Sequence, residues 1–463
     1  MSATRAAYRS RPLLKSESRP LANSDIASAV AEAEEHYIAA HPESARLAAA
    51  AKDHLPGGNT RTTVFFSPFP LFIESGKGST LTDVDGNRYV DFINEFTAAL
   101  FAHSNDVVLE TISAVAARGL NFGAQTEYET LLAGEIRRRF PAMELLRFCN
   151  SGTEANLLAI AAARAVTGKP KVLIFDSAYH GGLFSFGAQP APLNMPIPYV
   201  MSTFNDIEAV TRDIRTHAAD LAAVVVEPLQ GGAGAIPGDE AFLKALRQET
   251  ERNGVLLLFD EVMTSRTGFG GMQARFGLTP DLVTLGKYIA GGMTIGAFGG
   301  KREIMKRFDP ATPGSFPHGG TFNNNVLAMA VGYAALSRVL TAERIESVNN
   351  LGDRLQEKLR GVSRMNGVPM TISGLGSVFG IHFHDGPVRN AQDLRQGEAG
   401  REAGIASLKK LFQLDMLKAG FYVSRRIMGS LSIENTPEEA ERFVSAVSEF
   451  QQSRKALIHS VLR

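Results

Sequence analysis

Cysteine is almost absent: Cys149 is the only one in 463 residues. That excludes an intramolecular disulfide framework and a cysteine-based zinc cage. An excess of either charge is also missing, since 48 Lys and Arg face 48 Asp and Glu. Nucleic acid and anionic membrane surfaces select a basic face, so neither is the expected partner. No apolar run approaches the ~18 residues of a membrane-spanning helix, and the first residues lack the pattern of a secretory signal peptide. The glycine patterns GxGxxG and GxxxxGK[ST] are missing, which removes the fingerprints of dinucleotide and P-loop sites. No HExxH or clustered His/Cys spacing supports a metal hydrolase. What is left is a globular chain of enzyme size, 44% hydrophobic and 21% charged, for which a cytoplasmic location is the expectation.

The chain opens with a basic leader: residues 1–24 hold Arg5, Arg9, Arg11, Lys15 and Arg19 against the single acid Glu17. Such a composition makes either an organellar transit peptide or a disordered tail, so import into an organelle stays open beside the cytoplasm. From Asp25 an Ala/Glu-rich stretch reads as a helix capped at Ser24. Residues 64–75 (VFFSPFPLFIES) are aromatic and broken by prolines, which does not suit a central strand. Residues 81–92 (LTDVDGNRYVDF) alternate around Asp85-Gly86 and predict a hairpin.

Between about 95 and 335 short apolar runs alternate with helical stretches: 171–176 (KVLIFD), 222–228 (AAVVVEP), 255–261 (VLLLFDE) and 282–287 (LVTLGK). Continuous apolar strands need cover on both faces, so this pattern predicts an α/β fold with a mostly parallel sheet. Beyond residue 335 come a helix near 337–361, the segment 374–383, a helix near 400–419, the segment 421–433 and a last helix from Pro437. This is an α+β arrangement, expected to form a smaller C-terminal domain over 336–463.

Ligands on parallel sheets sit beyond the carboxyl ends of the strands. Four of the runs end there in a polar residue: Asp176, Glu227, Asp260 and Lys287. A carboxylate at such a place needs a cationic or N–H partner. A partly desolvated lysine has a lowered pKa and becomes an amine nucleophile; the alternative is a surface lysine at a strand end. Ser151-Gly152-Thr153 precedes an Ala/Leu-rich helix, where free N–H groups and the helix dipole favour an anion such as phosphate. The same residues also read as a plain N-cap. Tyr179-His180-Gly181-Gly182 offers an aromatic face in a turn, or simple core packing. Taken as an ordered set, a phosphate cradle, an aromatic ring, a strand-end acid and a strand-end lysine are what pyridoxal 5'-phosphate requires.

Six blocks, NSGTEAN (150–156), YHGG (179–182), EPLQG (227–231), FDEVMTS (259–265), LGKYIAGG (285–292) and GGTFNNN (319–325), stand in this order. On these blocks the chain resembles the class III aminotransferases of type I pyridoxal phosphate fold, over roughly residues 50–455. The resemblance implies that Lys287 carries the cofactor covalently and shuttles the proton, and that Asp260 pairs with the pyridine nitrogen. Val262 and Tyr179 would cover the two ring faces, with His180 beside the latter. Ser151, Gly152 and Thr153 would form the phosphate cradle, Gln230 would lie near the phenolic oxygen, and Glu227 would belong to the same cofactor site. Thr321 would reach the phosphate of a neighbouring subunit, which implies a homodimer. A large cofactor domain (95–335) and a small domain built from both chain ends, 25–94 and 336–463, follow as well.

Two further segments are similar to the β-amino acid (β-phenylalanine) transaminases, which themselves resemble glutamate-1-semialdehyde aminomutases. In GGNTRTTVFFSPFPL (57–71), Arg61 matches the arginine that binds the β-amino acid carboxylate. In YVSRRIMGSLS (422–432), Arg426 matches the arginine that receives the α-keto acid carboxylate, with Arg425 beside it as the alternative. A β-amino acid holds its carboxylate one carbon farther from the reacting amine, so a guanidinium in each pocket suits both lengths. Phe65, Phe66, Phe69 and Phe72 offer space for an aryl group, or else core packing. The expected reaction is a ping-pong transfer from a β-amino acid donor, such as 3-amino-3-phenylpropanoate, to 2-oxoglutarate or pyruvate. A glutamate-1-semialdehyde 2,1-aminomutase and an ω-amine transaminase are the alternatives.

Overall fold

The apolar runs become strands of one seven-stranded sheet in the computed structural model, which describes residues 25–187 and 191–463. In chain order these are β1 (Leu145–Cys149), β2 (Lys171–Phe175), β3 (Tyr199–Ser202), β4 (Leu221–Val226), β5 (Leu256–Asp260), β6 (Leu282–Gly286) and β7 (Gly296–Gly300). Their spatial order is β1-β7-β6-β5-β4-β2-β3. β7 pairs antiparallel with both β6 and β1, while every other pairing is parallel. All six residues of β4 are buried, as a strand covered on both faces requires.

The helix Gly152–Thr167 carries the chain from β1 at one edge to β2, with four strands between them. Its buried face is Ala155, Asn156, Ala159, Ile160, Ala162 and Ala163. Small side chains let the helix lie close to the sheet, and Asn156 is the one amide on that face. Because β1, β2, β4, β5 and β6 point the same way, residues 150, 176, 227, 260 and 287 all gather at one end. This is the class of α/β fold expected, a large and mostly parallel sheet.

The predicted hairpin is the pair Thr80–Asp83 and Arg88–Asp91, flanked by Ile73–Lys77 on one side and Phe421–Tyr422 on the other. Both chain ends therefore share one sheet. The aromatic segment before it is packing material: Phe66 is buried with Tyr37, Leu71, Tyr89, Leu414 and Leu417, and Phe69 packs against them. Phe65 stays exposed, so the four phenylalanines do not form a common aryl pocket. A second small sheet joins Thr371–Leu375, Val378–His382 and Met428–Ser430.

Two local expectations need correction. The first helix, Ile26–Ala40, is capped by Asp25, whose carboxylate accepts from the Ser28 N–H at 3.2 Å. Ser24 and the basic leader lie outside the described residues. The helix expected near 337–361 is Ala342–Asn366, started by the Thr341 hydroxyl, which accepts from the Arg344 N–H and so competes with continuation from the preceding turn. The segment 374–383 is split by a turn at Gly376, where φ is 57°. The last helix, Pro437–Leu462, begins as read, with Thr436 and Glu439 forming a capping box.

Candidate active site

Asp260 closes β5 and is 4% exposed. Its Oδ2 accepts from Asn156 Nδ2 and faces His180 Nδ1, each at 2.8 Å, and its Oδ1 accepts from the Val262 N–H at 3.1 Å. Thr284 on β6 donates to Asn156 Oδ1 at 2.6 Å, which turns the amide so that its N–H group meets Asp260. Donors on several sides offset the desolvation of a buried carboxylate. An ionised carboxylate only accepts, so the His180 Nδ1 carries the proton on that side. His180 Nε2 is buried with no partner among the described residues.

Glu227, just past β4, orders the next loop. Its Oε1 accepts from the Tyr179 N–H at 2.8 Å and its Oε2 from the Gly231 N–H at 3.1 Å. Burial, reinforced by the charge of Asp260 and opposed by His180 and these two N–H groups, pushes its carboxyl up to about 7. Both oxygens are thus engaged by backbone, and Glu227 acts on the site by holding the backbone of Tyr179 and Gly231 rather than through a free oxygen of its own. Tyr179 is half exposed, with its backbone N–H fixed by Glu227. Gln230 is 1% exposed; its Nε2 donates to the Asp176 carbonyl at 3.0 Å while its Oε1 is buried without a partner among the described residues. Asp176, the other strand-end acid, pairs with Arg395 and stands outside this set.

Ser151 caps the helix Gly152–Thr167, accepting from the Glu154 N–H at 3.1 Å. Its hydroxyl is thereby engaged, and the first-turn N–H groups of Gly152 and Thr153 have no intrahelical acceptor. A Cβ on Gly152 would lie 2.7 Å from Val262 Cγ1, so only glycine lets Val262 approach the helix start this closely. Gly181 has φ 113°, and a Cβ there would stand 2.3 Å from Thr153 Oγ1; the Tyr179–Gly182 loop is pressed onto the same helix start. A phosphate-sized anion, a flat ring and a pyridine nitrogen thus find an N–H cradle, Val262 and Tyr179, and Asp260. The partnerless Gln230 Oε1 and His180 Nε2 point to a polar group that completes the site. The residues present fit pyridoxal phosphate.

Lys287 follows β6 in left-handed geometry, φ 56°, which turns its side chain back over the strand ends. Its Nζ donates to the Phe96 carbonyl at 2.7 Å and to Thr97 Oγ1 at 3.0 Å. Burial pulls the amine down to about 8, with Asp260 and Glu227 opposing and Arg266 and Arg61 assisting. Neither Phe96 nor Thr97 is foreseen in the sequence, and neither are Asn156 and Thr284. Asn156 sits inside a quoted block, and its place on an otherwise apolar helix face is a signal that could have been used.

Arg61 is exposed, ion-paired with Glu95, and stacked on the Phe96 ring with its guanidinium carbon 5.7 Å from the centroid. An exposed ion pair contributes little, on the order of 1 kcal/mol or less, and can be exchanged for another carboxylate. Arg425 and Arg426 form the tip of a turn pinned by Ile427 N–H to Ser424 O, 2.9 Å, and by Ser424 Oγ to Met428 O, 2.8 Å. Both side chains are exposed and make no hydrogen bond or ion pair among the described residues. Thr321 is exposed too; its loop is tied to the cradle through Asn150 Nδ2 and Asn323 Oδ1, 3.0 Å apart.

The aminotransferase class-III family model matches residues 64–411. The chain is 41% identical over 433 residues to the beta-phenylalanine transaminase of Variovorax paradoxus, covering 94% of this chain and 98% of that protein. A solved beta-phenylalanine aminotransferase from Variovorax paradoxus has a TM-score of 0.90 at 40% identity, covering 93% of this chain and 99% of that one. Glutamate-1-semialdehyde 2,1-aminomutase 2 of Halalkalibacterium halodurans is 40% identical over 361 residues, covering 74% of this chain and 83% of that protein.

Proposed function

The chain belongs to the class-III aminotransferase family and is a pyridoxal phosphate-dependent transaminase, and from that premise we propose that it moves an amino group from a β-amino acid to an α-keto acid by a ping-pong route. When bound, the cofactor supplies an electron sink for charge that develops on the substrate carbon. The residues of the chain do the rest. Lys287 attaches the cofactor and, as a free amine, moves the proton at the reacting carbon. Asp260, held in place by Asn156 and His180, would hold the proton on the pyridine nitrogen. Gly152 and Thr153 N–H groups bind the phosphate at a helix start. Val262 and Tyr179 fix the ring between them, with Glu227 holding Tyr179, and Gln230 offers its buried amide to the phenolic oxygen. The working unit is a homodimer in which the partner subunit's Thr321 completes the phosphate site.

What carries the substrate assignment is the pair of exchangeable guanidinium groups on separate segments. Arg61 is ion-paired with exposed Glu95 beside the Phe96 ring, and Arg425 and Arg426 make no hydrogen bond or ion pair among the described residues. A donor carboxylate displaces Glu95 from Arg61, and the keto acid carboxylate meets Arg426 on the other segment; bidentate contacts fix the reacting carbon over Lys287. The similarity to an aminomutase favours a second reading, a 2,1-aminomutase that keeps its intermediate enclosed. The deciding experiment compares kcat/KM for 3-amino-3-phenylpropanoate, glutamate-1-semialdehyde and 1-phenylethylamine, with 2-oxoglutarate or pyruvate as acceptor. The β-amino acid should lead, with parallel double-reciprocal lines. Preference for the semialdehyde without an acceptor, or for the carboxylate-free amine, would transfer the assignment to the aminomutase or the ω-amine transaminase.

A further inference from the structure

Arg266 is among the largest fully buried side chains, at 0% exposure, and no ion pair includes it among the described residues. An arginine so deep is normally paired with a carboxylate. Here the guanidinium is spent on neutral oxygens: Nε donates to Ser377 Oγ at 3.2 Å, Nη1 to the Thr97 carbonyl at 3.0 Å, and Nη2 to the Leu431 carbonyl. Two of these anchors are tied to one another, since the Leu431 N–H donates to the Ser377 carbonyl at 2.9 Å. The third, Thr97, ends an unusual stretch. Asn94, Glu95, Phe96 and Thr97 have φ of 45°, 51°, 50° and 80°, four successive non-glycine residues in the left-handed region.

Such a stretch is costly for L-residues and persists only where its surroundings fix it. At one end Asn94 Nδ2 donates to the carbonyls of Asp91 (2.9 Å) and Ser430 (2.6 Å). At the other end Arg266 holds the carbonyl of Thr97. The two atoms that receive the Lys287 amine, the Phe96 carbonyl and Thr97 Oγ1, lie between these fastenings.

We propose that Arg266 is a positioning residue for Lys287: by gripping the Thr97 carbonyl it fixes the left-handed turn Asn94–Thr97 as the seat of the lysine amine whenever substrate holds the cofactor. The inference rests on reading Lys287 as the attachment lysine. The seat accepts two hydrogens from the amine and leaves its remaining direction for the reacting carbon. Arg266 also places an uncompensated positive charge near that amine. The charged groups that act on Lys287 are Asp260 and Glu227, which favour the ammonium, and Arg266 and Arg61, which disfavour it. Removing the Arg266 charge therefore tips the balance toward the ammonium.

The test uses the full chain with Arg266→Gln, Arg266→Lys, Thr97→Val and Thr97→Ser. Turnover is measured with the holoenzyme, and the rate at which cofactor-free protein reattaches pyridoxal phosphate is followed by visible absorbance across pH. Arg266→Gln and Thr97→Val should each lower kcat on the order of 10²-fold, as misplacement of a reacting group does, with donor KM within about threefold. Arg266→Gln should also move the midpoint of the reattachment profile to higher pH, whereas Arg266→Lys keeps it near the wild-type value and Thr97→Ser restores kcat. Thr97→Val leaves the buried arginine in place, so it tests the seat even if Arg266→Gln folds poorly. An unchanged pH midpoint in folded Arg266→Gln, or wild-type kcat in Thr97→Val, would overturn the proposal. Lys287→Ala is run alongside: if it still attaches the cofactor covalently, the attachment lysine has been misassigned, which is a different failure.

Discussion

Asn156 and His180 converge on a single oxygen, Oδ2 of Asp260, each at 2.8 Å, although they lie 104 and 80 residues from it in sequence. The helix that crosses the sheet brings the amide, the loop after β2 brings the imidazole, and β5 ends between them. This convergence gives a carboxylate fixed hydrogen-bond partners in a place water scarcely reaches, and a carboxylate so placed is what the proposed pairing with a ring nitrogen needs. Asp260→Asn should therefore retain the fold and reduce kcat by on the order of 10²–10³-fold, the usual scale for losing one fixed electrostatic partner. Circular dichroism and turnover on the same preparation check it; near-normal turnover would remove Asp260 from the mechanism.

Lys287 titrates near 8 because burial disfavours its ammonium. The neutral amine is the reactive form, so its share grows as pH rises through that value. Reattachment of pyridoxal phosphate to cofactor-free protein should accelerate from pH 7 to pH 9 with a midpoint near 8, and Lys287→Ala should form no reducible covalent adduct. Borohydride trapping followed by mass spectrometry of the peptide measures both.

Glu227 titrates in the opposite sense. Its carboxyl is raised from 4.5 to about 7, so between those values the folded chain holds a proton that the unfolded chain has released. Its stabilising contribution is complete below the lower value and is lost as pH rises through the upper one. In cofactor-free protein the stability of wild type relative to Glu227→Gln should fall by about 3 kcal/mol across this window. Urea unfolding at several pH values measures the difference; a flat difference would contradict the burial argument.

Gly152 is a steric prediction. The added methyl of Gly152→Ala meets Val262 Cγ1 at 2.7 Å, and relief requires Val262 or the helix start to shift, which would disturb the proposed ring face or phosphate cradle. Cofactor affinity should drop by about tenfold or more while the cofactor-free chain melts close to wild type. Equilibrium dialysis and thermal unfolding separate these two effects.

The two proposed carboxylate clamps should separate by half-reaction. Arg61→Ala should weaken the β-amino donor far more than the keto acceptor, and Arg426→Ala the reverse, each by about 10²-fold in kcat/KM, as expected for a bidentate charge-assisted contact. Arg425→Ala, compared with Arg426→Ala, decides which of the neighbouring arginines faces the acceptor. Equal losses on both substrates for Arg61→Ala would sink its role as the donor clamp.

Much of this site was legible because a parallel sheet converts sequence into position. Apolar runs of a few residues ending in Glu227, Asp260 and Lys287 had to place those side chains at one end of the sheet, and Ser151-Gly152-Thr153 had to open the crossing helix. What escaped was of another kind. Phe96 and Thr97 meet Lys287 across 191 and 190 residues, and their role depends on a left-handed backbone that no glycine announces. Arg266 sits in a short polar stretch, TSRTG, with no apolar pattern to signal burial, yet it is wholly buried, and its partners come from Thr97, Ser377 and Leu431. The cap at Asp25 instead of Ser24 shows a smaller limit, since adjacent capping residues give the same local signal.

The most direct test of the proposed donor is a titration of the holoenzyme with 3-amino-3-phenylpropanoate in the absence of any acceptor. The visible absorption of the lysine-bound cofactor should convert to the near-ultraviolet band of the aminated form, one equivalent of keto product should appear, and 2-oxoglutarate or pyruvate should restore the original spectrum. A visible band that persists with this donor yet responds to glutamate-1-semialdehyde or 1-phenylethylamine would contradict the β-amino acid assignment.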